Sequence, residues 1–168
     1  MRETDADLQR LQHLLDASYE RAGPHLRDIH VPRTRVDAAR LVAELDGMRV
    51  LVVATVTGDG RPLTGPVDGW FYRGRWLFGT SPAAVRARHL AQRPAVSATY
   101  VDGERFVCTV HGAARGVEPV SHDAGGFADV LRDFYGDGWW DQMADAPYWE
   151  IEADRLLAAD VSALAAGD

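Results

Sequence analysis

The chain contains no lysine and no asparagine; all 18 of its arginine-plus-lysine positions are arginine. Without lysine there is no Schiff base, hence no covalent pyridoxal-phosphate chemistry, and no lysine of a phosphate-binding P-loop. Any anion held here is held by arginine, histidine, hydroxyl groups or backbone N–H groups. Cysteine is almost absent: a single residue, Cys108, excludes a disulfide framework and a thiolate metal cluster. Positive charge is in deficit, with 25 acids giving a net charge of −7 and a pI near 5.3, which argues against bulk attraction to nucleic acid or anionic membrane. No apolar run approaches the roughly 18 residues of a membrane span, and Met1 to Asp7 is polar and acidic. The expectation is a cytoplasmic protein.

What is present fits one globular domain. A chain of 168 residues buries roughly 70% of its unfolded surface and folds without staples. Residues 1–46 read as a helical extension. Leu8, Leu11, Leu15 and Tyr19 recur at helical spacing within Thr4 to Arg21, and Gly23-Pro24 stops that helix. A short helix fits Val36 to Leu45, with Thr34 as its cap. From residue 47 to 164 the pattern is of strands. Val50 to Val56 is β-branched and bounded by Gly58-Asp59-Gly60, with a return strand from Pro62 to about Phe71. Arg75 to Phe78 follows a turn at Arg73-Gly74, and Ala95 to Val101 pairs with Phe106 to Val117 around Asp102-Gly103. A helix from His122 to Tyr135 buries Phe127, Leu131 and Phe134, and two closing strands cover Tyr148 to Glu152 and Leu156 to Val161. Short antiparallel strands with tight turns and one inserted helix predict a mainly β protein, a small barrel with flanking helices.

The inserted helix is where chemistry concentrates. Gly79-Thr80-Ser81-Pro82 places a hydroxyl cap and a first-turn proline before Val85 to Leu90. A helix N-terminus with unpaired N–H groups suits a phosphate, and Arg86 lies one turn in, able to fold back beside it. Arg88 adds charge but, two residues on, points to another side of the helix. The plain alternative is a capped surface helix with solvated arginines.

The ordered set resembles the flavin-binding split-barrel family, relatives of pyridoxamine 5′-phosphate oxidase and of the deazaflavin-dependent reductases. That set is the first strand, Gly58-Asp59-Gly60-Arg61-Pro62, Gly65-Pro66-Val67, the hairpin, Gly79-Thr80-Ser81, the arginine helix, Arg93-Pro94 and Val96 to Thr99. The likeness runs from about Arg49 to Val117. It implies a flavin ring along Thr64, Gly65, Pro66 and Val67, and a phosphate gripped after the third strand by Gly79, Thr80 and Ser81 together with Arg86 and Arg88. It implies FMN, with the deazaflavin coenzyme F-420 as the alternative, in a homodimer with the cofactor at the interface and a small-molecule substrate. The expected activity is a flavin-dependent oxidoreductase; a flavin or haem carrier or sensor without turnover is the rival. The oxidase's own return strand carries an arginine and a lysine where Gly65 and Trp70 stand here, which removes pyridoxamine phosphate as the expected substrate.

Other residues leave alternatives open. His111 and His122 could ligate haem or be satisfied structural histidines. His89 either touches the cofactor or lies at the surface. Cys108, alternating with Phe106 and Val110, reads as core. Asp137, Trp139, Trp140 and Asp141 form either a lid over a flat ring or a packed loop. No side-chain set is spaced to bind a metal.

Overall fold

A computed structural model describes residues 2–29, 31–122, 126–139, 142 and 146–162. Three helices come first: α1 (Asp5–Glu20), α2 (Pro24–Ile29) and α3 (Ala38–Glu44). Strands β1 (Met48–Val56), β2 (Pro62–Tyr72) and β3 (Arg75–Gly79) follow. Then come α4 (Val85–Gln92), β4 (Ala95–Asp102), β5 (Phe106–Val117), α5 (Gly126–Tyr135) and β6 (Tyr148–Asp160). The six strands close into an antiparallel barrel in the order β1-β2-β3-β6-β5-β4. The mainly β, split-barrel expectation therefore holds.

Local chemistry accounts for most element ends. Thr4 caps α1 and exchanges hydrogen bonds with Asp7, a reciprocal capping box. Gly23-Pro24 does stop α1, but Pro24 also opens α2, because its fixed φ suits a first helical position. The cap of α3 is Asp37, whose carboxylate accepts from the Arg40 N–H at 2.8 Å. Thr34, expected in that role, is spent elsewhere: its hydroxyl donates to Val31 O and its carbonyl accepts from Asp160 N–H. The two closing strands expected near the C-terminus are one strand. β6 pairs with β5 throughout, with His111 opposite Arg155 and Gly112 opposite Ala153, so Asp154 bulges out between them. At Gly112 a Cβ would lie 2.0 Å from Glu152 O, and only glycine fits that crossing.

The barrel interior is filled by the inward residues of each strand, among them Leu51, Val53, Trp76, Phe78, Phe106, Cys108 and Ile151. Cys108 is core as expected, and burial pushes its thiol up to about 12. α1 and α3 extend the same core with Leu11, Leu15, Tyr19, Leu41 and Leu45. Two bonds dock α1 onto β6: Tyr19 donates to Ala158 O at 2.7 Å, and Ser18 Oγ accepts from Leu156 N–H at 3.0 Å. A second cluster joins Trp70, Tyr72, Leu77 and Tyr148 to Phe127 and Leu131 of α5 and to Trp139. Phe134, expected inside, is exposed with its edge against Trp70, because it falls on the last turn of α5 beyond the buried stripe. No helix among the described residues is long and apolar enough to cross a membrane.

Candidate functional site

Strand β2 outruns its neighbour β3. Pro62 to Trp70 pair with β1, but β3 pairs only with Gly69 to Tyr72. The first half of β2 is therefore left with one open backbone edge, and α4 stands against it. Between them lies a cavity of about 210 Å³, lined by Val53, Thr55, Leu63, Thr64, Gly65 and the face of α4 that carries Arg86 and His89.

Arg86 and His89 are three residues apart, so they share a helix face. Arg86 reaches across to β2, where its Nη1 donates to Gly65 O at 3.3 Å and to Pro66 O at 3.1 Å. The guanidinium occupies the space that Gly65 leaves without a side chain: a Cβ there would lie 2.7 Å from Arg86 Nη2. Gly65 is thus explained first by the arginine that passes it. His89, buried, places Nδ1 3.0 Å from the hydroxyl of Thr55, itself buried on the inward side of β1. The surface alternative for His89 is thereby overturned. Below the helix, Arg93 Nε ties α4 to β1 through Val56 O at 3.1 Å.

The sequence-expected residues divide. Thr64, Gly65 and Arg86 line the cavity together. Pro66 joins through its carbonyl while its ring faces out, and Val67 turns inward and packs on the barrel core. Gly79, Thr80 and Ser81 are not brought to this cavity. Gly79 packs against the ring of Tyr148, where a Cβ would lie 2.7 Å away, and Thr80 N–H donates to Pro147 O. Ser81 Oγ accepts from Ala83 N–H and Ser81 O from Ala84 N–H, closing a turn with Pro82 at its second position. The expected hydroxyl cap is consequently not a cap. The helix begins one turn later, after Ala84, with no side-chain cap bond. Arg88 is exposed and points away from the cavity wall.

Val53, Thr55 and Leu63 were missed as lining residues. The alternation of β1 would have found them, since Val53 and Thr55 lie opposite Gly65 and Leu63 and share their side of the sheet.

The remaining candidates have local partners. His111 is exposed on β5 with Nδ1 2.8 Å from Ser97 Oγ, and His122 Nε2 lies 3.2 Å from Glu150 Oε2. Trp139 is buried and stacked on Tyr135 at an interplanar angle of 8°, as in a packed loop; Asp137 is exposed, and Trp140 and Asp141 lie outside the described residues. Tyr135 in turn donates to Asp68 at 2.6 Å on the outer face of β2. Burial, and then the neighbouring carboxylate, hold the Tyr135 hydroxyl well above the ordinary tyrosine range, so it stays protonated. Among the described residues, no three His, Cys, Asp or Glu side chains are placed to hold a metal ion.

Among its described lining residues the cavity holds a guanidinium, an imidazole, two threonine hydroxyls and an open strand edge, but no carboxylate. It can bind and orient an anion; among the described lining residues His89 alone could take up or release a proton near neutral pH.

No protein-family model matches the chain, and no curated protein sequence does. Solved structures do match. A conserved hypothetical protein from Mycobacterium tuberculosis is 20% identical, with a TM-score of 0.68 over 81% of this chain and 92% of that one. The haem storage protein HutZ from Vibrio cholerae is also 20% identical, with a TM-score of 0.59 over 72% and 91%. A Listeria innocua protein described as a pyridoxamine 5′-phosphate oxidase is 12% identical, with a TM-score of 0.56 over 71% and 94%; an F420 reductase is 19% identical, with a TM-score of 0.52 over 68% and 93%. The chain thus has the split-barrel fold of the pyridoxamine 5′-phosphate oxidase-like proteins.

Proposed function

We propose that the protein is an FMN-binding oxidoreductase acting on a small organic molecule, with Arg86 gripping the cofactor phosphate. The observation that carries this reading is the cavity between α4 and the open half of β2, where Arg86, Thr64 and Gly65 converge. A guanidinium offers five N–H donors and Arg86 uses only Nη1 on strand carbonyls, leaving donors for an oxyanion. The open edge of β2 supplies backbone N–H and C=O groups to the polar rim of a flavin. The bound cofactor would supply hydride-transfer chemistry; the chain's own residues bind it, orient it and exclude water.

The cavity also favours FMN over a deazaflavin. A long anionic tail needs further cations along its path. Arg86 is the only arginine among the described lining residues, while Arg73 and Arg75 line a separate cleft. A volume of about 210 Å³ falls below the roughly 300–1,000 Å³ of most ligand pockets, so one chain encloses only part of the cofactor. A second copy completes the site in this reading. Val50, Val52 and Val101 are exposed on the outer barrel face beside Pro66, an apolar surface continuous with the strand edge.

Haem is the second reading, favoured by the exposed His111 on that same face and by the fold shared with a haem storage protein. The absorbance spectrum and mass of whatever copurifies with the protein separate the two. A flavin spectrum bleached by NADPH and restored by air is the expected result. A Soret band, or no response to either NADPH or reduced deazaflavin, overturns the FMN oxidoreductase.

A further inference from the structure

α4 turns two polar side chains toward the cavity, Arg86 and, one turn later, His89. Helix positions three apart hold their Cβ atoms about 5–6 Å from each other, a separation that one phosphate group bridges. Each side chain is fixed by part of its polar surface and leaves the rest unused. Arg86 commits Nη1 to the Gly65 and Pro66 carbonyls, and His89 commits Nδ1 to the Thr55 hydroxyl at 3.0 Å. His89 is only 8% exposed and Thr55 2%, so the ring is held inside the fold. Its second nitrogen, Nε2, has no hydrogen-bond partner among the described residues, yet it is not one of the sealed, unpaired nitrogens. A buried imidazole that lines a cavity and keeps one ring nitrogen open is placed to meet a ligand there.

Thr55 sets what that nitrogen does. A threonine hydroxyl both donates and accepts. Against a neutral ring it donates to Nδ1, which leaves the ring proton on Nε2. Against an imidazolium it accepts from Nδ1–H, and Nε2 again carries a proton. An oxyanion at Nε2 selects these two states, because the other neutral form would set a lone pair against it. The charged side chains beside His89 on α4 are Arg86, one turn before, and Arg93, one turn after, whose Nε is held by Val56 O. From β1 the ring meets Thr55, and from β2 the cavity is lined by the uncharged Leu63, Thr64 and Gly65. With no carboxylate among the described lining residues, negative charge facing His89 comes with the ligand.

We propose that His89 is a second ligand of the bound phosphate, its Nε2–H donating to an oxyanion oxygen beside Arg86, with Thr55 as the residue that positions the ring. This rests on the reading of the cavity as the phosphate end of a flavin site, and it assigns that end a proton-carrying ligand as well as a permanent cation.

The test titrates FMN and riboflavin into wild type, His89→Met and Thr55→Val at pH 6.5, and follows the His89 ring by proton–carbon NMR from pH 5 to 8. The signal is assigned by its loss in His89→Met, a change that conserves volume and suits a helix. FMN weakens at least about tenfold in His89→Met, the loss of one charge-assisted contact, while riboflavin stays within about twofold. Thr55→Val weakens FMN less and leaves riboflavin alone, and Thr55→Ser restores the wild-type value. The His89 titration moves to higher pH in the FMN complex and stays in place with riboflavin, since a nearby anion favours the charged ring. Should His89→Met be poorly folded, His89→Gln carries the comparison with a neutral donor. Wild-type FMN affinity in the folded variant, a parallel loss of both ligands, or a ring titration that FMN does not move overturns the proposal. If Arg86→Ala still weakens FMN, the phosphate reading survives that result; if wild type binds no FMN, the reading falls and the proposal with it.

Discussion

Gly65 and Arg86 are one device seen from two strands of argument. Gly65 carries no side chain where the guanidinium crosses, and bulk added there would push the flexible end of Arg86 off the strand carbonyls. Gly65→Leu should therefore reduce FMN affinity while far-ultraviolet circular dichroism stays that of the wild type. Unchanged flavin occupancy in a folded Gly65→Leu protein would detach the strand from the site. The expected route of Arg86 is not the one observed: it is the second residue of α4 and crosses to the carbonyls of Gly65 and Pro66 on β2, where a position one turn into the helix had suggested a fold back over the N-terminus. The helix cap expected at Thr80 and Ser81 is likewise not formed. Hydroxyls before a proline look like a cap, yet the same residues make a good turn, and sequence offers no way to weigh the two. His89 was ambiguous for a related reason: only its burial against Thr55 on β1, a contact across 34 positions of chain, decides its side.

At the scale of elements, the strands were legible because their turns carry unmistakable glycines and their residues alternate. Gly60, Gly74 and Gly103 all take positive φ at the predicted hairpins. What stayed hidden depends on pairing. β6 looked like two strands because the bulge at Asp154 interrupts its alternation, and only β5 alongside reveals one continuous ladder. Gly112 faces that bulge, and its predicted mutant is specific. Gly112→Ala places a methyl against the Glu152 carbonyl and should cost about 3 kcal/mol, at the upper end for overpacking. For a chain of this size that lowers the thermal midpoint by about 6–12 °C, measurable by calorimetry. A midpoint within a degree of wild type would mean that the strands part easily there. Gly103→Ala, with nothing within 4 Å of its Cβ, is the control for backbone strain alone.

For the whole molecule, charge and assembly set the expectations. Among the described residues four carboxylates are held below their usual range: Asp7, Glu44, Asp160 and the exposed Asp59, which is lowered chiefly by the Thr57 hydroxyl. For Asp7, burial is the largest influence and acts upward; the donors of Thr4 and the charges of Arg10 and Arg73 together outweigh it. Glu44 is lowered chiefly by its bond from Arg105, and Asp160 by Ser162 and then Arg40. Groups with depressed folded values add stability above their unfolded values near pH 4 and lose it as pH falls toward the folded ones. Thermal midpoints should thus be nearly flat from about pH 7 to 5 and fall below about pH 4. Asp7→Asn should shallow that fall; an equally steep fall would remove Asp7 from the account. In assembly, sedimentation of the cofactor-loaded protein should give twice the chain mass of 18.4 kDa, and Val52→Asp on the exposed barrel face should yield the single chain. A monomeric wild type at micromolar concentration would leave the cavity without its second wall.

The grip of Arg86 on a cofactor phosphate is tested most directly by titrating FMN and riboflavin, the same ring with and without phosphate, into wild type and Arg86→Ala. A charge-assisted contact contributes roughly 1.5–3 kcal/mol, so FMN should weaken roughly 10- to 150-fold in Arg86→Ala while riboflavin affinity stays within about twofold. Equal FMN affinity in the two proteins, or a parallel loss of both ligands, would contradict it.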